Sequence, residues 1–129
     1  MVGEEADVVA VDAPEETFWE ALLEVVTDGG EAEDDIAAVV IGHYGWGSDE
    51  EEETLAKVPD AMKGVMLTAG QAKPLLSYEY DSSFGAPKCH AVYLWTSTRV
   101  IFVSQYDGST SIEAVPRLPN DCWPKMPGQ

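Results

Sequence analysis

The stretch from His90 to Val115, HAVYLWTSTRVIFVSQYDGSTSIEAV, decides the fold of this chain. It is dominated by β-branched and aromatic residues, which favour β-strands. Its short breaks, Ser97-Thr98 and Asp107-Gly108, are typical of tight turns, and the second is a favoured hairpin dipeptide. Because such short links join antiparallel neighbours, the stretch predicts an antiparallel meander. The predicted strands are 90–96, 99–106 and 110–115.

The middle strand, 99–106, is apolar on both faces for most of its length, which predicts a central place in the sheet. Residues 77–81, which precede the stretch, are a candidate for a further strand. Pro116 and Pro119 are expected to end the sheet. The sheet region is therefore 77–116, and an irregular tail follows at 117–129.

The chain before the sheet predicts helices. Apolar residues from Phe18 to Val26 recur at helical spacing, after a start at Asp12 and Pro14 and before a stop at Gly29-Gly30. This pattern predicts the first helix.

Two further helices are predicted after Gly30. The apolar residues of 31–44 fall at i, i+3, i+4, i+7 and i+8, which favours a helix, although Val39-Val40-Ile41 would also suit a buried strand. Ser48 and Glu51 have the spacing of a capping box at the start of a third helix. Pro59 is expected to break or bend that helix, with its apolar stripe resuming beyond the break.

These patterns predict one α+β domain over residues 1–129. Its N-terminal helices are expected to pack on one face of a C-terminal three- to four-stranded antiparallel β-meander. Residues 14–69 form an acidic helical half. Residues 1–13, which include Val8-Val9-Ala10-Val11, are interpreted as a loose tail in preference to an edge strand.

The charge of the chain is lopsided. Residues 1–60 contain 19 Asp and Glu and one Lys, a net charge of −18, whereas residues 61–129 contain five acidic and six basic residues, a net charge of +1; together they give −17. General adaptation to salt would coat the whole surface with acids, so a localised acidic surface is favoured. Such a surface repels nucleic acids and anionic membranes and attracts basic partners.

The compartment is inferred from what the sequence lacks. No apolar run approaches the roughly 20 residues of a membrane helix, and Met1-Val2-Gly3-Glu4-Glu5 lacks the basic start of a secretory signal. We therefore expect a cytoplasmic protein that binds neither a membrane nor nucleic acid directly. Its oligomeric state is left open.

Two acidic clusters and one tryptophan are the predicted partner-binding residues. Each cluster also suits a plain solvated helix start, and neither has the alternating oxygens of a calcium loop. Trp46 lies between glycines beside the second cluster and is expected to be an exposed anchor. Trp19 and Trp95 are expected in the core, and Trp123 against the tail. The acids are Glu31, Glu33, Asp34 and Asp35, followed by Asp49, Glu50, Glu51, Glu52 and Glu53.

The soft metal ligands do not form a recognised motif. His43, Cys89, His90 and Cys122 lack the paired spacing of zinc sites, and adjacent residues on a strand point to opposite faces. No catalytic residue, metal or cofactor is therefore predicted. Both cysteines are expected to be free thiols in a reducing cytoplasm, although the sequence leaves their pairing open.

The sequence between residues 78 and 119 carries a further pattern. It contains YEYD at 78–81, FGAPKCH at 84–90, VYLWT at 92–96, VIFV at 100–103, YDGST at 106–110 and VPRLP at 115–119. This pattern resembles a family of small accessory proteins of actinobacterial bacteriophages, over the last third of the chain. The resemblance implies a phage product that acts in the host cytoplasm, and it supplies no site residues.

The leading hypothesis is a non-enzymatic, phage-type accessory protein that binds a host protein with a basic surface and inhibits or redirects it. Its acidic surface would attract that partner, and in the more specific form of the hypothesis would imitate nucleic acid. One alternative is a small enzyme or zinc-binding factor that uses Cys89, His90, His43 and Cys122. A second is a structural protein that assembles with itself through an exposed sheet edge.

Overall fold

The structure is a computed structural model that describes residues 16–45, 57–80, 87–106, 108–124 and 126. Within these residues the chain forms two α-helices and a four-stranded antiparallel sheet, so the α+β class is confirmed. The elements, in chain order, are α1 (Phe18–Asp28), β1 (Ala38–Tyr44), α2 (Ala69–Leu76), β2 (His90–Trp95), β3 (Arg99–Tyr106) and β4 (Ser109–Pro116). Short 3₁₀ turns lie at Glu33–Asp35 and Asp60–Met62.

The meander predicted from residues 90–115 is confirmed. The strand order is β1-β2-β3-β4, and every neighbouring pair is antiparallel. β3 lies between β2 and β4, which agrees with its apolar residues on both faces. Gly108 connects β3 to β4 with a φ of 81°, a backbone conformation that glycine adopts without strain.

Helix α1 begins later than the sequence indicates. Thr17 caps it, because its hydroxyl accepts the backbone N–H of Glu20 while the Glu20 carboxylate accepts the N–H of Thr17. Pro14 lies outside the described residues. Gly29 ends the helix, as predicted.

The prediction of a helix over residues 31–44 is wrong, because most of this segment is strand β1. β1 pairs with β2, with Val39 opposite Leu94 and Ile41 opposite Val92. Val39 and Ile41 are fully buried, whereas Val40 between them is partly exposed. The apolar residues of this segment fit both periods, and pairing along β2 selects the strand.

The later part of the predicted third helix is also wrong. Residues 63–67 instead run beside β1, where the N–H of Gly64 donates to the carbonyl oxygen of Ile41 and Leu67 exchanges two backbone hydrogen bonds with Val39. The edge of β1 satisfies these backbone groups, so a helix is not needed there. Residues 48–56, including the Ser48 capping box, lie outside the described residues.

The predicted strand at 77–81 is wrong over its described part, and helix α2 was not predicted. Glu79 makes only an isolated bridge with Thr17. α2 begins with a capping box between Thr68 and Gln71, a signal present in the sequence, but Pro74 inside the helix conceals it.

One hydrophobic core joins helices and sheet. Both helices contribute buried residues, and so does one side of the sheet, where buried and exposed residues alternate along β2. From the helices the core contains Phe18, Trp19, Ala21, Leu22, Val26, Ala72 and Leu76, and from the sheet it contains Val39, Ile41, Val92, Leu94 and Ile101.

Candidate functional site

The exposed side of α1 carries a row of acidic side chains. Glu20, Glu24 and Asp28 are spaced four residues apart within the helix, so successive members lie about 6 Å apart along its axis, and Glu16 lies just before the Thr17 cap. Glu20, Glu24 and Asp28 are exposed, and Glu16 is partly buried. We call these four residues the α1 acidic row.

The members of the α1 acidic row interact with one another. A hydrogen bond with Glu24 raises the pKa of Glu16, and burial and the negative charges of Glu24 and Glu20 raise it further. The hydrogen bond with Glu24 is the largest cause of this raised pKa, and repulsion between like charges adds to it. The row is therefore a local concentration of negative potential that a basic partner would relieve. The α1 acidic row is not among the predicted partner-binding residues, although its spacing of four is visible in the sequence.

The first predicted acidic cluster divides into residues with different roles. The Asp35 carboxylate accepts the backbone N–H of Ala32 at 2.8 Å, which holds the 3₁₀ turn. Glu33 lies 3.9 Å from the ammonium group of Lys73, with both side chains well exposed. Asp34 is exposed. Asp34 and Glu33 are therefore accessible to a partner, whereas Asp35 is partly committed to the turn.

Glu31 has an internal role. Its carboxylate accepts two hydrogen bonds from the Arg99 guanidinium, at 2.8 and 3.0 Å, and two more from the hydroxyl and backbone N–H of Thr98. Its side chain is 11% exposed. This carboxylate is thus occupied within the fold, and we leave it out of the partner-binding surface proposed below.

The second predicted cluster lies outside the described residues. This applies to Trp46 and to Asp49, Glu50, Glu51, Glu52 and Glu53, so their predicted role in binding stays a prediction. The other tryptophans are described. Trp19 is buried, as expected, but Trp95 is only partly buried, and Trp123 is 92% exposed, so it does not pack against the tail.

The cysteine and histidine residues do not form one site within the described part of the chain. Cys89 and His90 are buried, whereas His43 and Cys122 are exposed. Burial raises the pKa of the Cys89 thiol to about 12, so it stays protonated at neutral pH and is a poor nucleophile. Across residues 16–45, 57–80, 87–106, 108–124 and 126, no group of three His, Cys, Asp or Glu is arranged to hold a metal ion.

His90 belongs to a buried aromatic cluster. The Tyr78 hydroxyl accepts the backbone N–H of His90 at 2.8 Å and lies 2.8 Å from its Nδ1 atom. The Tyr44 ring meets the His90 ring edge-on, and the Phe18 ring stacks on Tyr78. These contacts connect the start of β2 to α1 and β1. Because the buried His90 ring has a hydrogen-bond partner and packs against aromatic rings, its burial is accounted for by a structural role.

The side of the sheet opposite the core is largely apolar. We call two rows of cross-strand neighbours on this side the outer face, and the next pair on the same side, Ser104 and Ser111, is polar. One row is Val40, Tyr93, Phe102 and Glu113, and the other is Ala38, Trp95, Val100 and Val115. The rings of Tyr93 and Trp95 meet edge-on, with centroids 6.0 Å apart.

Two hollows lie on the outer face. One, of about 310 Å³, lies between Tyr93, Phe102 and Gly64. The other, of about 380 Å³, lies between Phe102, Val115 and Trp123 of the C-terminal tail. Exposed apolar surface of this kind often marks a site of association.

Among the described residues, no helix has the length and apolar character needed to cross a membrane. No protein-family model, curated protein or solved structure matches this chain, and the comparisons therefore assign it to no family.

Proposed function

We propose that this protein is a non-enzymatic, phage-type accessory protein that binds a host protein through an acidic surface and inhibits or redirects it. The supporting observation is the α1 acidic row, in which Glu20, Glu24 and Asp28 are exposed, and in which a hydrogen bond with Glu24, burial and the charges of Glu24 and Glu20 raise the pKa of Glu16. A basic partner would offset this repulsion, so electrostatic complementarity would speed and select the encounter.

The proposed surface extends from the α1 acidic row to Glu33, Asp34 and Asp35. It also includes the second acidic cluster, Asp49 to Glu53, with Trp46 as its apolar anchor. In its most specific form, the proposal is that regularly spaced carboxylates stand in for the phosphates of a nucleic acid, so that the target is a nucleic-acid-binding host protein.

The proposal places the protein in the host cytoplasm and gives the sheet the role of a scaffold. The helices would pack on one face of that sheet, which is supported by the core that α1 and α2 share with Val39, Leu94 and Ile101. The acidic side of α1 would then be directed away from the sheet, where a partner can reach it.

The first experiment is affinity capture from a lysate of the host, with three forms of the full chain. They are the wild type, the double variant Glu20→Gln/Glu24→Gln in the α1 acidic row, and the control Glu79→Gln/Asp121→Asn. The control removes the same number of charges from exposed positions outside the row. A partner identified with the wild type is then purified, and its dissociation constant is measured for each form.

The proposal predicts that the row variant weakens binding at least about tenfold while the control changes it less than about threefold. It also predicts that binding weakens steeply as salt is added, because both surfaces are screened. Equal losses in both variants, or binding that several-fold more salt leaves unchanged, would count against an acidic binding surface. A variant with all acids of 49–53 neutralised tests the second cluster in the same way.

A further inference from the structure

A groove lies between strand β4 and the C-terminal tail. It is the hollow of about 380 Å³ described above, and we call it the tail groove. The sheet contributes Phe102, Glu113 and Val115 to its lining, and the tail contributes residues 122–124. Its volume is near the lower end of the roughly 300–1,000 Å³ of small-molecule sites, so it suits a single side chain or a small ligand.

The one charged group that lines the tail groove is the carboxylate of Glu113. Glu113 lies opposite Phe102 in the pairing of β3 with β4, and it is partly buried. One of its oxygens accepts the hydroxyl of Ser111 at 2.8 Å. No lysine, arginine or histidine in the described part of the chain forms an ion pair with this carboxylate. A partly buried carboxylate among apolar side chains thus lacks a counter-charge, which a bound cation would supply.

Two aromatic side chains also line the tail groove. Phe102 is partly buried, whereas Trp123 is 92% exposed, so the face of its indole ring is open to a ligand. Cations are attracted to the faces of aromatic rings, and most strongly to that of tryptophan. Because Trp123 and Glu113 line the same groove, a flat cation can contact both of them.

We propose that the tail groove binds the guanidinium group of an arginine side chain in a basic segment of another protein. A guanidinium is planar, stacks on aromatic rings and pairs with a carboxylate through two N–H groups, while its apolar stem packs on residues such as Val115. The net charge of −17 would concentrate basic segments near this chain. The inference goes beyond the proposed acidic surface, because the tail groove contains none of the residues assigned to that surface.

The same features disfavour other occupants of the tail groove. A neutral apolar ligand would cover the Glu113 carboxylate without a counter-charge, and an anion would be repelled by it. A lysine ammonium group is compact and strongly hydrated, and it does not stack as a guanidinium does. A metal ion needs several protein ligands, and the described residues contain no group of three that could hold one.

The test is titration of the full chain with three capped tripeptides, Gly-Arg-Gly, Gly-citrulline-Gly and Gly-Lys-Gly, followed by NMR in about 0.15 M salt, which screens distant charges. Citrulline has nearly the shape of arginine without its charge, so it is the matched control. The indole N–H resonance of Trp123, assigned with Trp123→Phe, reports on the groove. We expect a dissociation constant of about 1–10 mM for the arginine peptide. The citrulline peptide should bind at least about fivefold more weakly and the lysine peptide at least about threefold more weakly.

Two variants and one control locate the binding site. Glu113→Gln removes the charge and keeps the shape, and it should weaken binding of the arginine peptide at least about fivefold. Trp123→Ala removes an exposed ring without disturbing the core, and it should weaken binding about threefold. The control Glu20→Gln/Glu24→Gln removes two charges from the α1 acidic row and should change binding less than about twofold. Circular dichroism verifies the fold of each variant.

Three results would overturn the proposal. The first is an indole resonance of Trp123 that does not move while the peptide shifts resonances of the α1 acidic row, which would indicate general attraction to acids. The second is an equal loss of binding in Glu113→Gln and in the α1 control. The third is a citrulline or lysine peptide that binds as tightly as the arginine peptide. None of these results bears on capture of a host protein by the acidic surface, so that proposal keeps its own test.

Discussion

The guanidinium group of Arg99, at the start of β3, lies 2.8 Å from the carboxylate of Glu31, which follows the end of α1. The same guanidinium donates to the carbonyl oxygens of Val25 and Val26, at 3.0 and 2.8 Å, in the last turn of the helix. Each of these carbonyl oxygens also accepts a backbone N–H, from Gly29 and Glu31 respectively, so the guanidinium is a second donor to both, and a cation there interacts favourably with the helix dipole. One side chain thus fastens the end of α1 to the sheet.

Replacement of Arg99 should destabilise the fold. Arg99→Met keeps most of the apolar stem but removes every hydrogen bond of the guanidinium and leaves the Glu31 carboxylate unpaired. We expect the free energy of unfolding to fall by about 2–3 kcal/mol, as measured by urea denaturation. Lys73→Met is the control, because its ion pair with Glu33 is long and exposed; it should cost less than about 0.5 kcal/mol. Similar losses in both variants would refute the role given to Arg99.

The Glu31 carboxylate should make the stability of the fold depend on pH. Burial acts to raise the pKa of Glu31. Hydrogen bonds with Thr96, Arg99 and Thr98 and the positive charge of Arg99 lower it, and the net effect is a pKa below the ordinary value of 4.5. A group with a depressed pKa in the folded state contributes stability above its unfolded pKa, and this contribution is lost as pH falls through the folded value.

The difference in stability between wild type and Glu31→Gln should therefore be largest near neutral pH and shrink as the solution is acidified below pH 4.5. Glu16 acts in the opposite direction, because its raised pKa makes its ionisation a cost to the folded state at neutral pH. Glu16→Gln should therefore stabilise the protein at pH 7 and lose this advantage in acid. Urea unfolding midpoints, measured from neutral pH to below pH 4.5, test the predictions for both variants. A stability difference for Glu31→Gln that does not change with pH would contradict the lowered pKa of Glu31.

The sequence predicts those parts of the fold that local patterns determine. The strands from β2 to β4 follow from β-branched and aromatic runs between tight turns, and α1 follows from apolar spacing. β1 was missed because Val39-Val40-Ile41 fits either period, and only its pairing with β2 decides between them. The role of Glu31 could not be predicted, since Arg99 is 68 residues away in the chain. In contrast, the α1 acidic row could have been found from its spacing.

A glycine is required at position 29 because the guanidinium of Arg99 leaves no room for a side chain there. A Cβ atom added there would collide with the guanidinium of Arg99, whose position is fixed by its bonds to Glu31 and to the end of α1. The φ of Gly29 is −87°, which alanine adopts freely, so backbone strain does not arise. We expect Gly29→Ala to destabilise the fold by about 1–2 kcal/mol in urea denaturation, through displacement of Arg99. Combined with Arg99→Met, the alanine should cost little further, and additive losses would show that the collision is not the cause.

The two thiols should react at very different rates. Cys122 is exposed, whereas Cys89 is buried and its pKa is raised to about 12 by burial. Because the thiolate is the reactive form, an alkylating reagent at neutral pH should modify Cys122 quickly and Cys89 only when the fold opens. Mass spectrometry of the native protein should find one label per chain, which Cys122→Ser removes, and a second label only in denaturant. Rapid labelling of Cys89 in the native Cys122→Ser protein would mean that this thiol is accessible and ionised, and the case against a cysteine nucleophile would then fail.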